Sequence, residues 1–370
     1  MNHVRIRLSG TYQDGPSQAR PGLGRGARHR FRFDQFLELT ERLKRSRRVD
    51  TVLIDHRVDF DPGGFAAVEG IRRALESLKD AGKALIFCCE DCGALTLYLA
   101  SVCPTRVLHP AGELRMLGFA RRFLFFKKLF DKQDLRAHVI RRGRYKSAGD
   151  PVRTDSLDPA NREQYGVFYS EVHRRVVEAI AGSLGKTQQD VGGLVEGRIL
   201  PAEQAVEHGW MTEIATIHEM ARRLEDEKRK ERRPKLHGKW GRGPRVSLLF
   251  LEGAIWSGES RRHPLWGSTS GDRSLAGEIR KLAKDKRTKA VVLRVNSPGG
   301  SALASESVRR ELSYLREKKP LVVSMANVAG SGGYWVSVEG ERIFAEGLTL
   351  TGSIGVIMVL VPYTVKVIKE

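Results

Sequence analysis

One arrangement of strand, turn and helix occurs twice in this chain, and this internal repeat constrains the fold more than any other feature. The two copies are displaced by about 236 residues (299 − 63), the interval between Gly63 and Gly299. Apolar strands that alternate with amphipathic helices predict parallel strands joined by crossover helices. The repeat therefore predicts an α/β fold built by tandem duplication of one domain. The first copy consists of a strand, a turn, a helix and a strand at residues 52–54, 61–64, 71–78 and 84–89, and the second copy of 291–293, 297–300, 308–312 and 321–323.

The repeat divides the chain into four parts. Residues 1–48 are predicted to form an arm, loose over its first thirty Gly- and Arg-rich residues and helical at 33–47, where apolar residues recur at helical spacing. The two α/β domains are predicted at 49–221 and 246–370. Residues 222–245 are dense in Lys, Arg and Glu, a composition typical of a charged helix end followed by a linker.

The overall charge is strongly basic. The chain has 64 Lys and Arg against 44 Asp and Glu, a formal net charge of +20. An excess of this size favours acidic partners such as anionic lipid or nucleic acid. However, the basic segment 222–245 lacks the interleaved aromatic side chains that stack on bases, so a solvated linker is favoured there and nucleic acid is not expected as a partner.

The sequence predicts no membrane-spanning helix. No apolar stretch reaches the roughly 18 residues that a membrane-spanning helix needs, and residues 1–20 lack the apolar centre of a secretory signal. Residues 116–130 are apolar and aromatic but interrupted by four basic residues, which predicts an amphipathic helix. Such a helix either lies on a membrane surface or packs on a neighbouring subunit, and both alternatives stay open. The expected location is cytoplasmic or peripherally membrane-associated.

The cysteines do not indicate a metal site. One Cys-x-x-Cys pair is present, but no second pair and no suitably spaced histidine accompanies it, so bound zinc is not expected. Buried thiols in a reducing compartment are the favoured interpretation. The four residues are Cys88, Cys89, Cys92 and Cys103.

Two glycine-rich motifs in the second copy can support chemistry at a carbonyl group. Residues 296–300 (NSPGG) follow a predicted strand, and their glycines allow backbone N–H groups to approach a ligand oxygen. Residues 325–335 (MANVAGSGGYW) present one serine, Ser331, at a predicted helix start, where a developing oxyanion is favoured. Either motif alone is more often an ordinary turn, but their succession, one strand apart, favours a functional site over two unrelated turns.

These motifs, followed by residues 351–355 (TGSIG), resemble those of the signal peptide peptidase A (protease IV) family in its duplicated form. A Tyr-Lys-Ser-Ala motif of that family is present at 145–148, and the likeness covers about residues 52–355. The resemblance implies two tandem crotonase/Clp-protease-like domains (ββα superhelix). The second is expected to be incomplete, because residues 358–370 no longer resemble the family.

The resemblance also implies a Ser-Lys dyad divided between the two copies. Ser331 is the nucleophile and Lys146 the general base. Leu95 occupies the position in the first copy that corresponds to Ser331, and an apolar side chain cannot attack a carbonyl. Free lysine titrates near 10.4, so burial must depress the pKa of Lys146 before it can accept the serine proton.

The remaining site residues are also implied by the family. Ser353 orients the lysine, with Ser147 as a weaker candidate. The oxyanion binds to the backbone N–H of Gly332 and to that of Gly299 or Gly300. No cofactor and no metal is implied.

The implied function is a serine endopeptidase that degrades cleaved signal peptides or other apolar, membrane-derived peptides. Its implied setting is bacterial, and its implied assembly is a homo-oligomer resembling a tetrameric dome. Three alternatives are weighed against it. An acyl-CoA enzyme could use the same fold, but crotonases generally rely on carboxylates. A non-catalytic or truncated scaffold, or a basic protein that binds nucleic acid or a membrane surface, would also fit the charge.

Overall fold

The computed structural model describes residues 2–16, 30–133, 135–227, 230–232, 243–263 and 267–360. The chain is a mixed α/β protein with two main parallel sheets. Each sheet and the elements packed on it form a unit with its own hydrophobic core, here called the first unit and the second unit. None of the helices in these ranges combines the length and the apolar character needed to cross a bilayer.

The first unit extends through strand β12. Its strands are β1 (Asn2–Leu8), β2 (Thr11–Gln13), β3 (Arg30–Arg32), β4 (Val49–His56), β5 (Ala84–Cys89), β6 (Cys92–Gly93), β7 (Thr105–Leu108), β8 (Glu113–Leu117), β9 (His138–Arg142), β10 (Glu196–Pro201), β11 (Glu213–Ile214) and β12 (Lys230–Glu231). Its helices are α1 (Phe33–Arg45), α2 (Phe65–Asp80), α3 (Ala94–Ala100), α4 (Lys127–Lys132), α5 (Asp150–Arg153), α6 (Pro159–Leu184), α7 (Gln188–Val195), α8 (Ala202–Glu207) and α9 (Ile217–Asp226).

The second unit contains fewer elements in the described ranges. Its strands are β13 (Arg245–Glu252), β14 (Ala254–Trp256), β15 (Arg261–His263), β16 (Gly267–Gly271), β17 (Thr288–Ser297), β18 (Leu321–Gly330), β19 (Arg342–Phe344), β20 (Leu350–Gly352) and β21 (Val356–Leu360). Its helices are α10 (Asp272–Lys284), α11 (Ala302–Arg316) and α12 (Gly332–Ser337).

A series of four strands has the same order in the main sheets of the two units. The first sheet runs β11-β7-β5-β4-β1-β12 and the second β13-β17-β18-β19, with β20 also paired to β18, and all these pairings are parallel. The series β1-β4-β5-β7 thus corresponds to β13-β17-β18-β19. Helices connect successive strands in both series, as parallel strands require. The predicted repeat of strand, turn and helix is present in the structure.

The prediction of a loose N-terminal arm is wrong for the described residues 2–16. Strand β1 lies inside the first sheet, between β4 and β12. Its alternate residues Val4, Ile6 and Leu8 are buried, and burying side chains of this kind stabilises by roughly 1.5–3 kcal/mol each. The two-residue alternation was the available signal, and the Gly- and Arg-rich composition obscured it. Residues 17–29 of the predicted arm lie outside the described residues.

The prediction of one amphipathic helix at 116–130 is also wrong. Met116 is fully buried in β8, which pairs with β10. Gly118, with φ +70°, follows the end of that strand, and residues 118–126 form neither helix nor strand. Only the six residues of α4 near the end of the segment are helical. Pairing with β10 satisfies backbone N–H and C=O groups of β8, so these residues need no helical hydrogen bonds.

The predicted charged linker is partly structured. Helix α9 continues to Asp226, β12 pairs with β1, and β13 begins at Arg245. Residues 228–229 and 233–242 lie outside the described residues. The segment therefore contributes an edge strand to the first sheet before the second unit begins.

Candidate active site

Ser331 occupies a strained turn between β18 and α12. Its φ of 52° and ψ of −116° are rare for a residue with a side chain, and such strain is of order 1–3 kcal/mol. Two hydrogen bonds hold the turn: the Ser331 N–H donates to Gly352 O (2.9 Å), and Ser331 O accepts from the Trp335 N–H (2.8 Å). This places a hydroxyl at the point where the strand becomes a helix, as the sequence predicted.

The predicted oxyanion loop packs directly against that turn. Gly299 has φ +97°, and a β-carbon there would lie 2.6 Å from the nitrogen of Gly332 and 2.8 Å from Cβ of Ser331. A glycine is therefore required at this position. The Gly299 N–H donates to Ser297 Oγ (3.1 Å). The next residue, Gly300, forms a parallel bridge with Ile255 of β14, which fixes the far side of the loop.

Lys146 reaches Ser331 from the first unit. Its Nζ lies 2.9 Å from Ser331 Oγ, although the two residues are 185 positions apart. The same nitrogen lies 2.5 Å from Ser353 O and 3.2 Å from Ser353 Oγ. Lys146 is only 7% exposed, and burial lowers its pKa from the ordinary lysine value. All three contacting oxygens are neutral, so none opposes the loss of the ammonium proton.

Ser353 and Ser147 were the two candidates for orienting the lysine. Ser353 contacts Lys146 Nζ through both its hydroxyl and its carbonyl oxygen. It has φ 51°, and among the described residues other than glycine it shares a positive φ only with Ser331. No described contact joins Nζ to Ser147, whose carbonyl instead accepts from the N–H of Asp150. The geometry therefore favours Ser353 over Ser147.

The pairing of β9 with β21 brings the lysine to the second unit. The two strands are antiparallel, with Arg142 opposite Val356. Lys146 follows β9 by four residues and Ser353 precedes β21 by three, so the pairing sets the distance between them. The sequence reasoning missed this contact. The sequence signals for this contact were the partial alternation of apolar residues in β9 and the apolar run in β21. Neither pattern indicates which strand is its partner.

Asp150 is a second feature that the sequence reasoning missed. Its buried carboxylate accepts hydrogen bonds from Arg153 Nη2 (2.8 Å), Asn161 Nδ2 (2.7 Å) and Arg141 Nη1 (3.3 Å). It thereby fastens the loop that carries Lys146 to α5, α6 and β9. The Asp-Pro dipeptide directly after the Tyr-Lys-Ser-Ala-Gly sequence was the only local signal.

The first unit has no nucleophile at the position equivalent to Ser331. Leu95, at the position corresponding to Ser331, lies in α3 and packs against the first hydrophobic core. Within the described part of the chain, no group of three or more His, Cys, Asp or Glu side chains is placed to hold a metal ion. The four cysteines are buried and form no disulfide.

The site can support base-assisted attack by a hydroxyl. A serine oxygen lies in hydrogen-bond contact with a buried amine whose pKa is depressed, which is the geometry of an activated nucleophile. The backbone of Gly299 packs against the serine turn, and glycine-rich backbone is the usual source of N–H donors for an oxyanion.

Comparison with known proteins places the chain among peptidases. The sequence profile of Peptidase family S49 matches residues 77–231 and 313–369. The chain is 31% identical over 314 residues to the chloroplastic serine protease SPPA of Arabidopsis thaliana, covering 80% of this chain and 46% of the relative. It is 32% identical over 337 residues to Protease 4 of Salmonella typhi (86% and 54%) and 29% identical over 330 residues to Protease 4 of Haemophilus influenzae (80% and 51%).

The chain belongs to Peptidase family S49. The predicted family resemblance is thus confirmed, but the expectation that residues 358–370 no longer resemble the family is wrong, because the profile match extends to residue 369. The chain spans about half the length of these curated relatives.

Proposed function

We propose that the chain is a serine endopeptidase whose dyad consists of Ser331 as nucleophile and Lys146 as general base. The observation that carries this proposal is the 2.9 Å contact between Ser331 Oγ and Lys146 Nζ, made between two units of the fold. Membership of a peptidase family supports the same reaction class.

The proposed reaction proceeds through an acyl-enzyme. As Ser331 Oγ attacks the scissile carbonyl carbon, neutral Lys146 takes the hydroxyl proton and the carbonyl π electrons move to the oxygen. Collapse of the tetrahedral intermediate breaks the C–N bond, and the lysine ammonium gives its proton to the leaving amine. Water then repeats the sequence on the ester and releases the acid and the free serine.

Ser353 is proposed to hold the lysine for this transfer. Its two oxygens lie 2.5 and 3.2 Å from Nζ and direct the amine without adding charge. A carboxylate in their place would stabilise the ammonium form and remove the base.

The oxyanion is proposed to bind the N–H of Gly332 and that of Gly300. Gly299 was the alternative to Gly300, but its N–H already donates to Ser297 Oγ. Donors fixed before the reaction stabilise a developing charge most effectively, because they need no reorganisation.

The two units are proposed to be tandem crotonase-like domains. Their matching strand order supports a duplication. The first domain then supplies the lysine and the second the serine. The sequence-based boundary at residue 49 is moved to include β1, because β1 pairs inside the first sheet. Residues 246–360 contain the described part of the proposed second domain.

The proposed substrates are signal-peptide-like or other apolar peptides. Apolar side chains beside the site in sequence are exposed: Ile354 by 77%, Trp335 by 40% and Leu350 by 37%. Exposed apolar surface of this kind favours apolar ligands. Cleavage of an apolar peptide should therefore exceed that of a matched polar peptide of the same length.

Assembly into a tetramer-like dome is proposed as well. Leu124, Phe126 and Leu129, in the segment 116–130, are 63%, 43% and 54% exposed beside basic side chains. In an assembly these side chains would line the opening of the dome or touch anionic lipid. Light scattering measures the mass, and sedimentation with anionic and zwitterionic vesicles measures lipid contact. A monomer in all conditions contradicts the assembly.

A fluorophosphonate probe tests the proposed nucleophile. The wild-type chain should be labelled once, at Ser331, as mapped by mass spectrometry. Ser331→Ala should abolish labelling, whereas the control Ser307→Ala, which changes a serine on the exposed side of α11, should leave it unchanged. Equal labelling of wild type and Ser331→Ala would contradict the proposal.

A further inference from the structure

The first unit contains a counterpart of the oxyanion loop, and a side chain of the second unit occupies it. The turn at residues 61–64 corresponds to 297–300 by the internal repeat. In the second unit that turn faces the serine. In the first unit it receives Asn327, whose Oδ1 accepts from the N–H of Ala67 (2.7 Å) and whose Nδ2 donates to Pro62 O (3.4 Å).

Helix α2 lacks a cap of its own at this end. Its N-cap residue, Gly64, has no side chain and makes no capping hydrogen bond. The N–H of Ala67, in the first turn of the helix, would otherwise be a buried donor without an acceptor. Asn327, which is 7% exposed, supplies the acceptor from 260 residues away. A β-carbon on Gly64 would lie 2.6 Å from Cγ of Asn327, so the turn at 61–64 packs closely against this side chain.

The same helix anchors the segment that leads to Ser353. Glu69 Oε2 accepts from the N–H of Leu348 (2.8 Å), and the Leu348 side chain is buried in the hydrophobic core of the first unit. Thr349 Oγ1 in turn donates to Ala326 O (2.8 Å). Strand β18 and the segment that leads to Ser353 are therefore tied to each other and to α2.

These contacts bear on the relative position of the dyad residues. Asn327 lies in β18, four residues before Ser331, whereas Lys146 belongs to the unit that contains α2. A tie between β18 and α2 fixes the serine relative to the lysine. Misplacement of a catalytic group by about 1 Å can lower a rate about 100-fold.

We propose that Asn327 is a positioning residue, which docks in the turn at 61–64 and so holds the serine strand in register with the lysine unit. This inference rests on the proposed dyad. It gives the 61–64 turn a role as an internal docking socket rather than a second active site.

The test separates positioning from simple helix capping. Asn327→Gly should lower kcat and the rate of fluorophosphonate labelling by about 10- to 100-fold, with a smaller change in KM, and should lower the melting temperature. Adding Gly64→Ser in the same chain supplies a cap from within α2, since Gly64 has an extended backbone (φ 169°) that serine can adopt. This double variant should regain melting temperature but not kcat.

The outcomes distinguish this inference from the dyad itself. If kcat returns together with melting temperature in the double variant, or if Asn327→Gly keeps wild-type kcat, the positioning role is overturned while Ser331→Ala still abolishes labelling. Undiminished labelling of Ser331→Ala would overturn the dyad and this inference with it.

Discussion

Replacing Asp14 by alanine should destabilise the protein by about 3–5 kcal/mol, the usual effect of leaving a buried charge without its partner. The Asp14 side chain is 1% exposed and accepts from Arg294 Nε at 2.8 Å, with the Arg294 side chain 16% exposed. Its carboxylate also accepts from Asn296 Nδ2 and Tyr12 Oη, both at 2.9 Å. The variant therefore leaves the Arg294 charge without its carboxylate partner, and two neutral donors without this acceptor, at the contact between the N-terminal segment and the second unit.

Asp34→Ala provides the matched control. Asp34 pairs with Arg32, but the two side chains are 25% and 26% exposed, so the loss should be about 0.2–1 kcal/mol. Thermal unfolding followed by tryptophan fluorescence compares the variants, and Asp14→Ala should melt lower by on the order of 10 °C. Adding Arg294→Met should recover much of that loss, because no buried charge then remains unpaired. Equal melting of Asp14→Ala and Asp34→Ala, or no recovery in the double variant, would refute this reasoning.

Three further predictions concern titration and the lysine loop. Because burial lowers the pKa of Lys146, kcat/KM should rise with pH through an apparent pKa below about 10.4, and a midpoint at the free value would contradict this. Burial and the nearby Asp14 raise the pKa of Glu252 to about 7. The folded state then keeps a proton that the unfolded state loses above its ordinary pKa of 4.5, so this contribution to stability falls as pH rises from 4.5 to 7. Glu252→Gln should therefore raise the melting temperature at pH 8 but not at pH 4.5, and equal shifts at both would contradict it. Asp150→Ala should lower kcat about 10-fold or more, since the lysine loop loses the four hydrogen bonds that this carboxylate accepts, and unchanged kcat in a folded variant would be inconsistent with that role.

Local patterns in the sequence predicted much of the fold. Strand β5 was predicted within its observed bounds, and the helices corresponding to α1, α2 and α11 within a few residues or as part of a longer helix. These elements are specified by hydrophobic periodicity and turn glycines, which act over neighbouring residues. The candidate residues Ser331, Lys146 and Ser353 came from motifs, and the structure brings all three together.

What the sequence could not predict depends on contacts between distant residues. Three such contacts join the first 150 residues to residues beyond 290: the pairing of β9 with β21, the ion pair of Asp14 with Arg294, and the docking of Asn327. No local pattern specifies such a partner, because the side chains involved are ordinary at each position. The error at 116–130 had a different origin. A run of apolar and basic residues fits a short strand, a loop and a brief helix as well as one amphipathic helix.

The comparison of single and double dyad variants tests the central claim most directly. Hydrolysis of an apolar fluorogenic peptide is measured for wild type, Ser331→Ala, Lys146→Ala and the combination, with Ser307→Ala as control. If the serine and the lysine act as one unit, each single variant should lose about as much kcat as the double, and Lys146→Arg should be inactive because guanidinium stays protonated. A double variant that loses far more than either single one, or Lys146→Arg with normal turnover, would contradict the account.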